Sequence, residues 1–312
     1  GRSHERGALF KSLSKAGDAK SQGAFLLTRG ANLRTLAVLA ADVTPAKTTL
    51  GDVYELSADL RLAKMADQKG ASFFEKNTVI PEGIVTADAA SVIFEEGGVR
   101  WRLPRSASSA QDGLLGRSAL RKAREVCTER DLLQAHGTFY ELPALNAKGA
   151  IRMRPVATSD AAIHDYCSYR GLLVLSGVSP EAAKDDRHVI RSDDGKAAVW
   201  VGAADDLWQL GKPRGHGGPW LNTAVQKGAP SDPYLMTGYD KKTLKLTNHG
   251  AKPVRVSVLL DVAGDGRSTT YRILEVPAGK DIVHAFEPAL NAYWVRFVAD
   301  EDAVLSAQLT YE

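Results

Sequence analysis

Cysteine is scarce in this sequence, with two residues in 312, so neither a disulfide framework nor a zinc cluster is predicted. Long apolar runs are absent too, and none approaches the roughly 18 residues that a membrane-spanning helix needs. Neither sign of charge dominates, because 40 basic and 37 acidic residues give a formal charge of +3. No basic stripe is visible, so we expect neither a nucleic-acid partner nor a membrane span.

The residues that are present form short apolar segments between turns that are rich in glycine, proline and Asx. Several segments alternate with period two, as Thr243–Thr247 does, and this pattern indicates half-buried strands. Helical spacing is convincing mainly around Ala119–Val126. The sequence therefore predicts an all-β fold.

An internal repeat narrows the fold class. Cys127–Gly137 aligns with Cys167–Gly177 on the pattern C-[S/T]-x-R-x-L-L-x-x-x-G, at an offset of 40 residues. Weaker copies are Asp205–Gly211 and Asp232–Gly238. A period near 40 is typical of propeller blades and predicts a β-propeller of about six or seven four-stranded blades. The alternative is a set of β-sandwich domains.

The domain organisation follows from this pattern. Residues 1–20 are predicted to form a polar N-terminal segment, because lysine, serine and glycine dominate there. Residues 21–312 are predicted to form the propeller. The alternating strands of 240–312 are longer than those before them, so these residues form either its closing blades or a small appended β-sandwich.

Three arginines are candidates for binding an anionic group. Arg130 and Arg170 occupy equivalent positions of the two good repeat copies, and Arg154 lies between these copies. A guanidinium offers a planar fork of donors that matches a carboxylate or sulfate. The alternative is that each arginine forms an ion pair that joins neighbouring blades.

Two histidines are candidates for the site. His136 ends the first repeat copy, and its imidazole suits proton transfer near neutral pH, so we predict a catalytic role. His164 precedes the second copy and is predicted to bind substrate. A histidine base together with an arginine that neutralises a uronate suits β-elimination of an acidic polysaccharide. A purely structural role is the alternative for both histidines.

The segment Asp205–Trp220 is the most unusual part of the chain, because carboxylates, tryptophans, cations and glycines crowd into sixteen residues. A loop of this kind offers aromatic faces and polar groups to a sugar. Asp205 is the predicted catalytic carboxylate, with Asp232 as a candidate partner. The predicted substrate contacts here and just beyond are Trp208, His216, Trp220 and Tyr234. The alternative is that the tryptophans only pack between blades.

Three stretches carry a family resemblance: Cys127–Pro143, Asp165–Gly177 and Asp205–Trp220. They resemble exported bacterial propeller proteins of carbohydrate breakdown, a group similar to seven-bladed propeller glycosidases and polysaccharide lyases. The resemblance spans residues 95–312. It implies a secreted or periplasmic protein that acts on plant or algal glycans containing uronic acid or rhamnose. Ser192–Trp200 is only a near miss to the S-x-D-x-G-x-T-W box of sialidases, so that branch is not predicted.

Three functions remain open on these residues. The first is a carbohydrate-active enzyme, either a glycoside hydrolase or a polysaccharide lyase, acting on an oligo- or polysaccharide. The second is a non-catalytic glycan-binding propeller, and the third is a structural or protein-interaction propeller. No metal and no cofactor are predicted, because no nucleotide, phosphate or metal motif occurs in the sequence.

Overall fold

The computed structural model describes residues 7–29, 35–44, 46–66, 85–117, 123–125, 131–182 and 185–312. Strands dominate, and the α-helix described in these ranges is α1 (Ala110–Arg117). The strands in chain order are β1 (Ser21–Arg29), β2 (Thr35–Val43), β3 (Thr48–Leu56), β4 (Leu62–Lys64), β5 (Val85–Ala87), β6 (Val92–Glu96), β7 (Val99–Leu103), β8 (Ala123–Glu125), β9 (Asp131–Ala135), β10 (Thr138–Leu142), β11 (Arg154–Thr158), β12 (Tyr166–Tyr169), β13 (Leu172–Leu175), β14 (Val189–Arg191), β15 (Ala198–Gly202), β16 (Gly215–Val225), β17 (Tyr234–Leu235), β18 (Lys242–Asn248), β19 (Val254–Asp261), β20 (Thr269–Val276), β21 (Asp281–Ala285), β22 (Trp294–Ala299) and β23 (Ala303–Tyr311). The all-β prediction is confirmed.

The chain divides into two compact units, each built from three segments. Unit 1 comprises Gly1–Glu82, Ser108–Gly137 and Ser159–Lys212. Unit 2 comprises Gly83–Ala107, Thr138–Thr158 and Pro213–Glu312.

Unit 1 contains two four-stranded antiparallel sheets whose faces share one core. The first is the meander β1-β2-β3-β4, and the second has the order β12-β13-β15-β14. Leu26 and Leu56 from the first sheet pack in one cluster with Cys167 and Val199 from the second. Four-stranded sheets stacked on each other are the building unit that the predicted propeller requires. The number of blades stays a prediction.

The two good repeat copies share a local structure in unit 1. In each copy the Leu-Leu pair lies on a strand that pairs antiparallel with the preceding described strand, β9 with β8 in the first copy and β13 with β12 in the second. The β12–β13 turn consists of Arg170 and Gly171 with φ of 51° and 79°. Positive φ at both central residues is the type I′ geometry that suits the twist of paired strands.

Two local predictions are wrong. Residues 123–125 of the predicted helix Ala119–Val126 form β8, because Arg124 pairs with Leu132 of β9. The third repeat copy is no strand either, since Ala204–Gln209 forms a 3₁₀ helix. The carboxylate of Asp206 accepts the N–H of Ala203 over 2.8 Å, and this bond satisfies a free donor at the start of that helix.

Residues 8–16 of the predicted polar N-terminal segment pack against the rest of unit 1. Ala8–Phe10 forms a 3₁₀ turn, and the Phe10 ring stacks on Trp200 at 4.7 Å between centroids. The indole of Trp200 donates to the carbonyl of Leu9 over 2.8 Å. Leu13 is also buried and bridges to Val178. The few apolar side chains of this segment thus fix it to the core.

Unit 2 contains two sheets that pack face to face, together with the antiparallel pair β10–β11. The four-stranded sheet has the order β16-β23-β18-β21, and the seven-stranded sheet has the order β20-β19-β22-β17-β7-β6-β5. Trp220 of the first sheet contacts Phe297 of the second, with centroids 5.9 Å apart. Residues 240–312 supply β18 to β23 and share both sheets with earlier strands. Whether they are closing blades or an appended sandwich stays a prediction.

Candidate functional site

The predicted site residues lie in both units. Unit 1 holds His136, His164, Arg170, Asp205 and Trp208, whereas unit 2 holds Arg154, His216, Trp220 and Tyr234. Arg130 lies outside the described residues. The prediction that Arg130 and Arg170 aim at one cavity therefore stays a prediction.

His136 is a buried partner of a carboxylate. Its side chain is 1% exposed, and Nε2 lies 3.1 Å from Oδ1 of Asp112, whose side chain is 49% exposed. His136 has a φ of 49° in the turn between β9 and β10, a conformation that non-glycine residues seldom adopt. Solvent therefore reaches the Asp112 carboxylate but hardly reaches the His136 imidazole. The catalytic role of His136 stays a prediction.

The other candidates of unit 1 have separate surroundings. His164 is buried, and its Nε2 lies 2.8 Å from Oγ of Ser21. Arg170 is exposed in its hairpin turn. Asp205 is exposed in the first turn of the 3₁₀ helix. Trp208 lies in the same helix and is 45% exposed. The catalytic role of Asp205 and the binding roles of His164, Arg170 and Trp208 stay predictions.

The candidates of unit 2 are divided between surface and core. Arg154 forms an exposed ion pair with Glu141 over 2.8 Å, and His216 is exposed on β16. Trp220 is buried against Phe297, which is the packing role that the sequence left open as an alternative. Tyr234 is fully buried, and its hydroxyl has no hydrogen-bond partner among the described residues.

Unit 2 also contains a carboxylate–arginine cluster, which we define as Asp88, Ser91, Arg102 and Asp232. The Arg102 side chain is 7% exposed, while those of Asp88 and Asp232 are 41% and 29% exposed. Arg102 donates from Nε to Oδ2 of Asp232 over 2.8 Å, and from Nη1 to Oδ2 of Asp88 over 2.9 Å. Nη1 also lies 2.9 Å from Oγ of Ser91. One buried guanidinium therefore brings two solvent-reached carboxylates together.

Local structure explains why the cluster forms. Arg102 lies on β7, where alternate side chains share a face, and Trp101 on the opposite face packs against Trp294 with centroids 4.6 Å apart. Asp88 lies in the β5–β6 turn, and its Oδ1 accepts the N–H groups of Ala90 and Ser91, each over 2.9 Å. The Trp101 contact holds β7 in place, and the two N–H bonds hold the Asp88 side chain. Forming the ion pairs therefore costs less side-chain entropy.

The electrostatics of the cluster keep Asp88 ionised. Burial alone opposes the charged form, but the N–H of Ser91 and the guanidinium of Arg102 outweigh it, so the pKa of Asp88 is lowered. A carboxylate of this kind is an acceptor, a base or a nucleophile at neutral pH, and it does not donate a proton.

The sequence contained part of the signal for this cluster. Asp232 was a candidate carboxylate, and Val99–Leu103 carries arginines at alternate positions of an otherwise apolar strand. An arginine that such a strand buries needs an acidic partner. Asp88 resembles any turn aspartate, so nothing local to it marks its role.

The described residues contain no group of three or more His, Cys, Asp or Glu side chains that could hold a metal ion. Over the same residues, no helix has both the length and the apolarity to cross a bilayer.

Comparisons with protein-family models and with curated proteins find no match. Among solved structures, a family 32 β-fructofuranosidase from Bombyx mori aligns over 94% of this chain and 80% of its own, with 8% identity and a TM-score of 0.20. A family 43 arabinoxylan arabinofuranohydrolase from Bacillus subtilis aligns over 97% and 68%, with 13% identity and a TM-score of 0.22. An exo-β-1,3-galactanase from Phanerochaete chrysosporium aligns over 96% and 100%, with 10% identity and a TM-score of 0.19. Likeness at this level carries no argument about activity.

Proposed function

We propose that this chain is a carbohydrate-active enzyme that hydrolyses glycosidic bonds with Asp88 and Asp232. One observation carries the proposal: a buried guanidinium holds two solvent-reached carboxylates at 2.8 and 2.9 Å. Most glycoside hydrolases use a carboxylate pair, separated by about 5 to 5.5 Å in retaining enzymes and by about 6.5 to 9.5 Å in inverting ones. Asp88 and Asp232 supply the two carboxylates that such a site requires.

In this scheme each carboxylate has one role. Asp88, whose pKa is lowered, is the nucleophile or the base that activates water. Asp232 is the proton donor to the leaving oxygen in its protonated form, in which Oδ2 still accepts from Arg102. Arg102 is a positioning residue, because its buried side chain fixes the separation of the pair. An all-β scaffold of packed sheets supplies the rigidity that such positioning needs.

The glycan is proposed to be acidic, and the protein is proposed to act in the periplasm or outside the cell. Support for the acidic substrate comes from further arginine side chains beside the cluster. Support for the location comes from the sequence resemblance to exported proteins.

The primary test is a screen of neutral and acidic polysaccharides that monitors both reducing ends and the absorbance of unsaturated uronates. Hydrolysis releases reducing ends without that absorbance. We expect D88N and D232N to lower kcat about 10²- to 10⁴-fold, and we expect E141Q, at an exposed ion pair of the same unit, to retain activity. D88E and D232E keep the charge but move the carboxylate by one methylene group. They therefore separate the effect of carboxylate position from the effect of charge.

The role of Asp232 has its own readout. A proton donor matters less when the leaving group is already acidic. D232N should therefore retain more activity on an aryl glycoside with a good leaving group than on a polysaccharide, whereas D88N should lose activity on both by a similar factor. Equal losses for D232N on both substrates would contradict the assignment.

Two other outcomes of the screen identify the alternatives. Absorbance from unsaturated uronates that is lost in D112N and retained in D88N would favour a lyase that works through Asp112 and His136. Binding without any product, lost in W208A, would favour the glycan-binding propeller, because Trp208 is an exposed aromatic face.

A further inference from the structure

Arg100 lies on the same face of β7 as Arg102, because the two are separated by one residue on the strand. The two guanidinium groups differ in their hydrogen bonds. Arg102 is buried and uses its Nε and Nη1 on Asp88, Ser91 and Asp232. The Arg100 side chain is 48% exposed and makes no hydrogen bond to the described residues.

Arg100 is held at ion-pair distance from two carboxylates without a hydrogen bond to either. Its Nη1 lies 3.8 Å from Oδ2 of Asp232, and its Nε lies 3.9 Å from Oε1 of Glu95, the residue opposite it on β6. Both distances exceed a hydrogen bond. The carboxylates therefore keep the guanidinium beside the cluster while its donors remain available.

An available arginine fork beside a carboxylate pair has a specific chemical use. A guanidinium binds a carboxylate or sulfate through two parallel N–H···O bonds, and it stays charged at any physiological pH. Arg296 adds positive charge near Asp232. It donates to the carbonyl of Ser231 over 3.1 Å, and its pKa is lowered because it is partly buried.

We propose that Arg100 is a specificity-determining residue that binds the carboxylate of a uronic acid unit next to the bond cleaved at Asp88 and Asp232. This inference rests on the proposed function and names its substrate class. Neutral glycans lack the group that Arg100 would bind, so they gain no charge-assisted hydrogen bond from it and are poorer ligands.

The test uses thio-linked trigalacturonate, which resists hydrolysis, and its methyl ester, which has the same ring but no charge. Calorimetry on the full chain compares wild type, R100Q, R100K and the matched control R255Q, whose exposed arginine is bonded to Asp300. We expect R100Q to bind the charged probe about 10- to 100-fold more weakly, R100K to fall between, and R255Q to match wild type. The methyl ester should bind all four proteins within about 2-fold.

Other results would overturn the inference. Equal losses on both probes would mean that Arg100 only supports Asp232, and unchanged binding in R100Q would mean that it contacts no ligand. Failure of wild type to bind the charged probe would also overturn the inference about Arg100. Binding needs no turnover, so this outcome is distinct from loss of the proposed hydrolase, which the D88N and D232N kinetics decide. Thermal unfolding of R100Q checks that the fold is intact.

Discussion

Nε of Arg102 donates to Oδ2 of Asp232 over 2.8 Å, although 130 residues separate the two along the chain. The arginine is almost fully buried and the aspartate is reached by solvent. The bond connects β7 to the segment just before β17, and it determines where the second carboxylate of the cluster lies. Its loss should affect stability as well as activity.

Removing the Arg102 guanidinium is expected to destabilise the protein strongly. R102M leaves two carboxylates facing each other, and we expect it to lower the free energy of unfolding by about 2 to 4 kcal/mol, less than for a fully buried pair because solvent reaches both carboxylates. R154M, which breaks the exposed pair with Glu141, should cost no more than about 1 kcal/mol. Urea unfolding measures both values. Similar losses in the two variants would show that burial does not set the strength of the cluster.

Acid should weaken the cluster through Asp88. Its pKa is lower in the folded protein than in the unfolded chain, because the Ser91 N–H and Arg102 outweigh the effect of burial. The resulting stabilisation is fully present above about pH 4 and is lost as the pH falls through the folded pKa. The difference in unfolding free energy between wild type and D88N should therefore shrink below about pH 4. A difference that grows on acidification would contradict the prediction.

Two buried tyrosines should respond differently to loss of their hydroxyls. Tyr234 and Tyr311 have ring centroids 5.8 Å apart, but only the Tyr311 hydroxyl donates, to the carbonyl of Leu235 over 2.8 Å. Y311F should cost about 1 kcal/mol, because it leaves that carbonyl unpaired. Y234F should be neutral or stabilising by about 1 kcal/mol, because it removes a buried hydroxyl without a partner among the described residues. Thermal unfolding compares the stability of the two variants. A larger loss of stability for Y234F than for Y311F would contradict the prediction, because it would mean that the Tyr234 hydroxyl has a hydrogen-bond partner.

Arg170 offers a test that separates binding from stability. Its φ of 51° favours asparagine or glycine in a type I′ turn, so R170N should be neutral or stabilising by up to about 1 kcal/mol. If Arg170 binds an anionic sugar as predicted, the same variant should bind acidic oligosaccharides more weakly. Unchanged affinity with retained stability would remove Arg170 from the site.

The sequence predicted the all-β fold because period-two alternation, as in Thr243–Thr247, gives the burial of each side chain without knowledge of the neighbouring strand. It also located the hairpin strand of the second repeat copy. It failed at Asp205–Gly211, where the likeness to a strand repeat was outweighed by a capping bond that the Ala203 N–H donates to the Asp206 carboxylate. That bond depends on three residues of local spacing, which the repeat pattern does not contain.

The roles that the sequence predicted for Arg130, Arg154 and Arg170 stay predictions. The sequence named Asp232 as a candidate carboxylate, but it named neither Arg102 nor Asp88, with which Asp232 shares the cluster. For Trp220 it gave binding and packing as alternatives, and the structure shows the ring buried against Phe297.

The strands, their turns and the sides on which their residues lie were determined by the sequence itself, because backbone geometry and local apolar pattern act over a few residues. Only the tertiary structure decided that Asp88, Arg102 and Asp232 meet. Their contact depends on strand order and register in the seven-stranded sheet of unit 2. That order is set by the packing of both its faces at once, which no local pattern records.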